Sequence, residues 1–426
     1  MEIKDLHRIF LDSSGVSTDT RSLSSGNIFF ALKGDNFNAN EFVDIALKMG
    51  ALACVVDEKP NFKNNNIVMV DSVLNTLQEL AHFHRQYLGI PIIAITGSNG
   101  KTTSKELINS VLSKKYKTQA TVGNYNNHIG VPLTLLNMTS STEIGIVEFG
   151  ANHLGEIEHL SKITAPNYGY ITNFGKAHLE GFGSQEGVIK GKSELYKYLI
   201  ENNGTIFINS NDSKQVELIG EQSKIISFPE NNCDNPIELY SVKPFVSVKA
   251  QDTIILTKLI GNYNFSNIAA AITVGYFFNV NFKDIKDGIE SYVPKNNRSQ
   301  IVKTEFNTVI LDAYNANPSS MVAALDNFNS MNYKDKIVIL GDMFELGDSS
   351  DNEHQAIIDY VHTLNFKSMY FIGESFFSQV KDFYSAKFFK NKKAFKNYIK
   401  SNPIQNSQVL IKGSRGMQLE KLKTIL

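Results

Sequence analysis

Residues 91–114 read PIIAITGSNGKTTSKELINSVLSK, and no other stretch narrows the possible folds as much. An apolar run stops at Gly97, Ser98 and Asn99 follow, and Gly100 hands over to a segment whose apolar residues recur at helical spacing. That is a strand, a tight loop and a helix start. The first N–H groups of such a helix have no partners within it, and with the helix dipole they form a seat for an anion. The common phosphate loop, GxxxxGK[ST], wraps phosphates in backbone N–H groups while its lysine and hydroxyl reach phosphate and Mg2+. Counted back from Gly100 and Lys101, its opening glycine falls where this chain has Ile95. Gly97, Gly100, Lys101 and Thr102 remain, between a strand and a helix, so ATP is the expected ligand. The alternative is a glycine turn with an incidental lysine.

Further strand candidates follow at EIGIVEFG, NYGYITNF and GTIFIN, separated by helical segments, which calls for a parallel sheet covered on both faces. A second alternating series runs from NTVILDAY through KIVILGDM and SMYFIGE to QVLIKGS, with PSSMVAALDNF helix-like between them, and reads as another α/β sheet, doubly wound. Ahead of the loop, NIFFALKG, ALACVV and the helix-like NEFVDIALKMGA make a smaller α/β unit that ends near YLGIP. A chain of 426 residues is too long for one core, in keeping with several domains. The polar, turn-rich PKNNRSQ at 294–300 is the expected hinge, and the Asn-rich 64–66 a surface loop.

Composition excludes other classes. With 42 basic against 43 acidic residues, a net charge of -1 and no long basic run, no nucleic-acid partner is expected. Cys54 and Cys233 lack CxxC spacing, so neither a disulfide framework nor a structural zinc is expected. The opening MEIKDLHRIF is no signal peptide, and no apolar run approaches the ~20 residues that span a bilayer, so a cytoplasmic protein without a membrane partner is expected.

Ligands of open parallel sheets gather at the carboxyl ends of the strands. By that rule Glu148, ending VEFGANHLGE's strand, and Asn173 and His178, just past ITNF, should face the loop. Beside an ATP loop the carboxylate and imidazole are candidate Mg2+ ligands, although imidazole is an unusual ligand for a hard cation. Read singly, Glu148 is equally a surface charge and His178 an ordinary loop residue.

Taken together, TGSNGKTT, GNYNNHIGVPLTL, EFGANHLGEI, TNFGKAHLEGFGS, DAYNANPSSM, LGDMFELG and KGSRG resemble the Mur ligases, in order from about residue 15 to residue 416. The family's ATP loop is the shortened form seen here. The resemblance implies three domains: a UDP-substrate domain at 1–89, a central parallel-sheet, P-loop ATPase-like domain at 90–296, and a Rossmann-like domain at 297–426 that closes over the nucleotide. It implies ATP-dependent ligation of D-alanyl-D-alanine to UDP-N-acetylmuramoyl-tripeptide by a monomer, through an acyl phosphate.

Site roles follow residue by residue from the resemblance. Gly97, Ser98, Asn99, Gly100, Lys101, Thr102 and Thr103 form the nucleotide loop, with Lys101 on the β- and γ-phosphates. Thr102 and Glu148 bind one Mg2+, and Glu148 and His178 share a second. Lys192 in VIKGKSELY matches the family's carbamylated lysine, with Lys190 as rival; by default either would be a solvated cation. Asn267 matches an adenine contact, Arg298 the phosphate-approaching arginine near the hinge, and Asp312 the ribose aspartate. Asp19, Arg21, Asn126 and Asn127 fall on the UDP-substrate side, and Asn315, Asn317 and Arg415 where the dipeptide is recognised; NANPSS would also suit a turn and helix cap. Two departures stand out: Asn38-Ala39-Asn40 where Asp-Gly-His is common, and Tyr263 where histidine is frequent. A sister ligase of the same fold is the competing enzyme, but the DNPR-type motif of the diaminopimelate-adding member is missing. A catalytically dead nucleotide-binding homologue would be expected to have lost some of Lys101, Thr102, Glu148, His178 and Lys192.

Overall fold

The computed structural model describes residues 1–220, 224–229, 236–294, 297–380 and 385–426; Cys233, Lys295 and Asn296 lie outside them. Three parallel-stranded sheets succeed one another along the chain. The first contains β1 (Val16–Ser17), β2 (Ile28–Phe30), β5 (Ala53–Val56) and β6 (Ile67–Met69), in that spatial order, with a small ribbon of β3 (Lys33–Gly34) and β4 (Phe37–Asn38) beside it. Cys54 is free and buried in this unit.

The central sheet holds β7 (Ile92–Thr96), β8 (Thr118–Ala120), β9 (Ile144–Glu148), β10 (Tyr168–Ile171), β11 (Thr205–Asn209) and β12 (Lys224–Phe228), in the order 12-11-10-7-9-8. β7 shows why its run is apolar throughout. Ile92 and Ala94 pack with Val73, Leu77 and Leu80 of helix Val73–Leu88, while Ile93 and Ile95 pack with Leu107, Ile108 and Val111 of the loop's own helix. Alternate residues feed opposite cores, as a strand buried on both faces must. An antiparallel meander of β13 (Glu238–Ser241), β14 (Ser247–Ala250) and β15 (Thr253–Leu256) follows.

The third sheet contains β16 (Gln300–Lys303), β17 (Thr308–Asp312), β18 (Lys336–Gly341), β19 (Ser368–Ile372), β20 (Lys387–Phe389) and β21 (Gln408–Lys412), ordered 16-17-21-18-19-20, with β16 alone antiparallel. The carboxyl ends of β17 and β21, the loop after β18, and the carboxyl ends of β7, β9 and β10 look into one cleft. No helix among the described residues is long and apolar enough to cross a membrane.

Candidate active site

The loop after β7 is laced to the exit of β10. Ser98 N–H donates to Asn173 O and Asn99 N–H to Asn173 Oδ1, while Thr172 Oγ1 and Asn173 Nδ2 donate back to Asn99 O at 2.5 and 2.9 Å. Gly97 has φ +137°, and a Cβ there would lie 2.0 Å from Thr172 Oγ1, so only glycine fits this close crossing. Gly100, at φ +82°, starts helix Lys101–Leu112. The Lys101 ammonium folds over the loop, donating to the Gly97 and Ser98 carbonyls at 2.7 and 3.2 Å; burial lowers its pKa, against the pull of Glu148.

Glu148 ends β9 with 2% exposure. Thr102 Oγ1 donates to its Oε2 and Asn126 Nδ2 to its Oε1, both at 2.9 Å. Among the described residues no lysine, arginine or histidine lies within ion-pair distance of it; its direct side-chain partners are neutral donors, with the Lys101 charge farther off. A buried carboxylate beside a hydroxyl is the hard-oxygen donor set that suits a divalent cation such as Mg2+. Among the described residues no group of three or more His, Cys, Asp or Glu side chains could hold a metal by itself.

Opposite, His178 sits in the left-handed region at φ +53°. Its Nδ1 lies 2.5 Å from Glu345 Oε2, at ion-pair distance but off hydrogen-bond geometry, and the contact holds the Glu345 carboxyl below the usual carboxylate range. Glu345 comes from the third sheet and is itself at φ +62°. Paired left-handed non-glycine residues mark a junction that the surrounding contacts over-determine. Glu180 N–H donates to Glu345 O across the same junction, at 3.2 Å.

Lys192 is fully buried on helix Gln185–Glu201, whereas Lys190 is exposed. The Lys192 Nζ donates to Ala151 O at 3.0 Å and lies 5.0 Å from the Phe182 ring centre; burial, then the Lys101 charge, drive its pKa well below the ordinary lysine value. The solvated-cation reading of Lys192 is thereby corrected.

The C-terminal unit supplies the other wall. Asp312, at the tip of β17, accepts from Ser299 N–H and Oγ–H on Oδ1 and from Lys412 Nζ on Oδ2. Arg298 stacks 3.7 Å from the Tyr314 ring centre, and Tyr263 pairs with Ser299 across the hinge at 2.9 Å. Asn317 caps helix Pro318–Ser330 in a capping box with Ser320, and its Nδ2 also donates to Asn99 Oδ1 of the loop. Asn267 lies beneath the loop, its amide taken by Ser104 and Asn264.

One cleft of about 1480 Å3 is lined by Ser98 to Thr103, Asn126, Asn127, Glu148, His178, Asn267, Arg298, Asp312, Asn315 and Asn317. Gly97 and Lys192 do not line it, but Gly97 O accepts from the cleft residue Lys101 and Lys192 Nζ donates to the carbonyl of the cleft residue Ala151. Asp19, Arg21 and Arg415 do not line it: Asp19 and Arg21 pair with each other in the first unit, and Arg415 with Glu420. Asn38 and Asn40 likewise join a separate network with Glu58 and Asp57. Sequence reasoning missed Glu345 and Lys412, both cleft residues at or beyond strand tips of the third sheet. Applying the strand-tip rule to that sheet as well would have flagged them.

Residues 95–275 match the Mur ligase middle domain and residues 297–415 the Mur ligase, glutamate ligase domain. UDP-N-acetylmuramoyl-tripeptide–D-alanyl-D-alanine ligase of Bacillus subtilis is 35% identical over 96% of this chain and 92% of its own. The chain belongs to the Mur ligase family. The ligase of the same name from Haemophilus influenzae is 33% identical over 95% of this chain and 92% of its own. Among solved structures, MurF from Acinetobacter baumannii superposes with a TM-score of 0.87 at 29% identity, covering 99% of this chain and 97% of that one. The three sheets are those of a three-domain Mur ligase, and the cleft lies where its middle and C-terminal domains meet.

Proposed function

We propose that this chain is an ATP-dependent ligase that joins D-alanyl-D-alanine to UDP-N-acetylmuramoyl-tripeptide, forming the UDP-muramoyl-pentapeptide precursor of peptidoglycan. One observation carries the reading. The phosphate loop, the Thr102–Glu148–Asn126 cluster and His178 share a cleft with room for a nucleotide and a second bulky substrate, in a chain 35% identical to a ligase of that name.

Joining a carboxylate to an amine in water runs uphill, so the carboxylate is first phosphorylated. Its oxygen attacks the γ-phosphorus of ATP and ADP departs. The amine of the dipeptide then attacks the acyl carbon, and phosphate leaves with the C–O electron pair. Phosphoryl transfer depends on positioning and charge neutralisation, so no covalent enzyme nucleophile is needed. In this reading Lys101 leaves its own loop carbonyls for the β- and γ-phosphates. Thr102 and Glu148 would hold one Mg2+, and Glu148 and His178 a second. Bound there, Mg2+ neutralises the phosphate charge that builds up during transfer. Burial disfavours the ammonium form of Lys192, so its amine could capture CO2 as a carbamate and would then add an anionic oxygen beside the cations.

Asn267, Arg298 and Asp312 take the nucleotide's other parts. Asn126 and Asn127 would serve the muramoyl side, and Asn315 and Asn317 the dipeptide side; Arg415, outside the cleft lining, and Asp19 and Arg21, in the first unit, are assigned to the dipeptide and UDP subsites from the resemblance alone. The domains are taken as 1–89, 90–296 and 297–426, closing about 294–300 as a cytoplasmic monomer. Phosphate release that requires both UDP-tripeptide and D-alanyl-D-alanine tests the reading, and Lys101→Ala should abolish it while leaving the thermal melt unchanged. Turnover without the dipeptide, or substantial turnover in the variant, refutes it.

A further inference from the structure

Lys412 ends β21, in the middle of the third sheet, with 2% of its side chain exposed. A buried ammonium is costly unless its hydrogens are used, and an apolar residue of similar volume is often no less stable in such a place. Its partners are specific. Nζ donates to Asp312 Oδ2 at 2.6 Å and to the Asn315 carbonyl at 3.2 Å. Asp312 and Lys412 are cross-strand partners in the β17–β21 register, so the pair is set by the sheet itself.

The Asp312 carboxylate, 18% exposed, offers about four lone-pair directions, and Lys412 with the Ser299 N–H and hydroxyl engages three. What remains faces the cleft. The Lys412 charge also cancels that of Asp312, so this wall offers acceptors to neutral hydroxyls without repelling a polyphosphate. Through Asn315 the same ammonium holds the loop whose Asn317 reaches Asn99 of the phosphate loop.

We propose that Lys412 is a positioning residue of the ligation site: it fixes the Asp312 carboxylate for the nucleotide's sugar hydroxyls and ties the dipeptide-side loop to the same point. This rests on the assignment of Asp312 to the ribose made above. The test is calorimetric titration of the full-length protein with ADP, comparing the parent chain with Lys412→Met, Lys412→Arg, Asp312→Asn and the double variant Asp312→Asn/Lys412→Met. Lys412→Met should weaken ADP by at least roughly tenfold, the scale for truncating one partner of a buried charge pair. Lys412→Arg should recover part of the loss, and KM for D-alanyl-D-alanine should rise in Lys412→Met.

In the Asp312→Asn background Lys412→Met should cost nothing further in ADP affinity; an additional drop there overturns the proposal. A folded Lys412→Met that binds ADP like the parent also overturns it while leaving the Asp312 assignment standing. Unchanged ADP affinity in Asp312→Asn removes that assignment and the proposal together. Should Lys412→Met fail to fold, the double variant, which leaves no unpaired charge, decides.

Discussion

Lys192 shows what a single position hides from the sequence. A lysine on a helix is ordinarily a solvated cation, and VIKGKSELY contains nothing that tells Lys192 from Lys190 by chemistry. Burial does: Lys192 lies under the cleft with one carbonyl for its Nζ, while Lys190 faces solvent. Burial drives its pKa well below the ordinary lysine value, which favours the neutral amine, the form that adds to CO2. Lys192→Ala should therefore lower ligation by roughly 10- to 100-fold, the usual cost of losing a group that orients a metal site. Acetate or propionate should restore part of it, and 13C-bicarbonate should give a carbamate resonance in the parent protein only. Parent-like turnover in Lys192→Ala excludes the role. Lys412 was hidden in the same way, since its charge looks solvent-facing until the sheet register places it beside Asp312.

At the scale of elements, legibility followed burial. β7, β9, β17 and β18 are buried on both faces and announce themselves as unbroken apolar runs, and the glycine loop gave away its own strand and helix. β8, half-exposed along its length at the sheet edge, and β13, largely exposed, have no such run and were not anticipated. The packing of helix Ile3–Leu11 on helix Val73–Leu88 was equally invisible: besides Leu6 and Phe10 against Leu77 and Leu80 it includes a long-range pair, in which His7 Nε2 lies 3.0 Å from His84 Nδ1, and His84 Nε2 lies 2.8 Å from Met138 O. A carbonyl only accepts, so His84 carries its proton on Nε2 and receives one from His7. Burial chiefly depresses both pKa values below the ordinary 6.5, keeping the pair neutral in the folded protein. The unfolded chain takes up protons first as pH falls. The pair's contribution is thus intact above about pH 6.5 and lost below it, at a limiting slope of about 1.4 kcal/mol per pH unit for each histidine. Denaturant melts at stepped pH should show this loss in the parent and a flatter profile in His7→Gln; identical profiles would rule out the pair as the cause.

For the molecule as a whole, the cleft exists only because the third sheet's loops lie against the stretch after β10. Besides the His178–Glu345 and Asn99–Asn317 contacts, Lys176 N–H donates to Ser319 Oγ at 2.8 Å and Lys176 Nζ pairs with Glu353 Oε1 at 2.6 Å. Most of these are single polar bonds at a rim, individually weak, as the proposed closure of the C-terminal domain over the nucleotide would need of its joint. The Lys176–Glu353 pair is the one that can be changed without touching the cleft's floor. With half of the lysine side chain exposed, it is worth at most ~1 kcal/mol, so its loss shifts the balance between closed and open forms by up to about fivefold. Lys176→Glu should therefore lower kcat/KM by about two- to fivefold with little change in thermal stability, Glu353→Lys should do the same, and the two together should recover most of the loss. High salt should weaken the parent and spare the single variants, since screening removes an attraction in one and a repulsion in the others. If both single variants turn over like the parent at low salt, the pair does not hold the joint shut, and closure rests on the other contacts across it, Asn99–Asn317, His178–Glu345, Glu180–Glu345 and Lys176 N–H–Ser319.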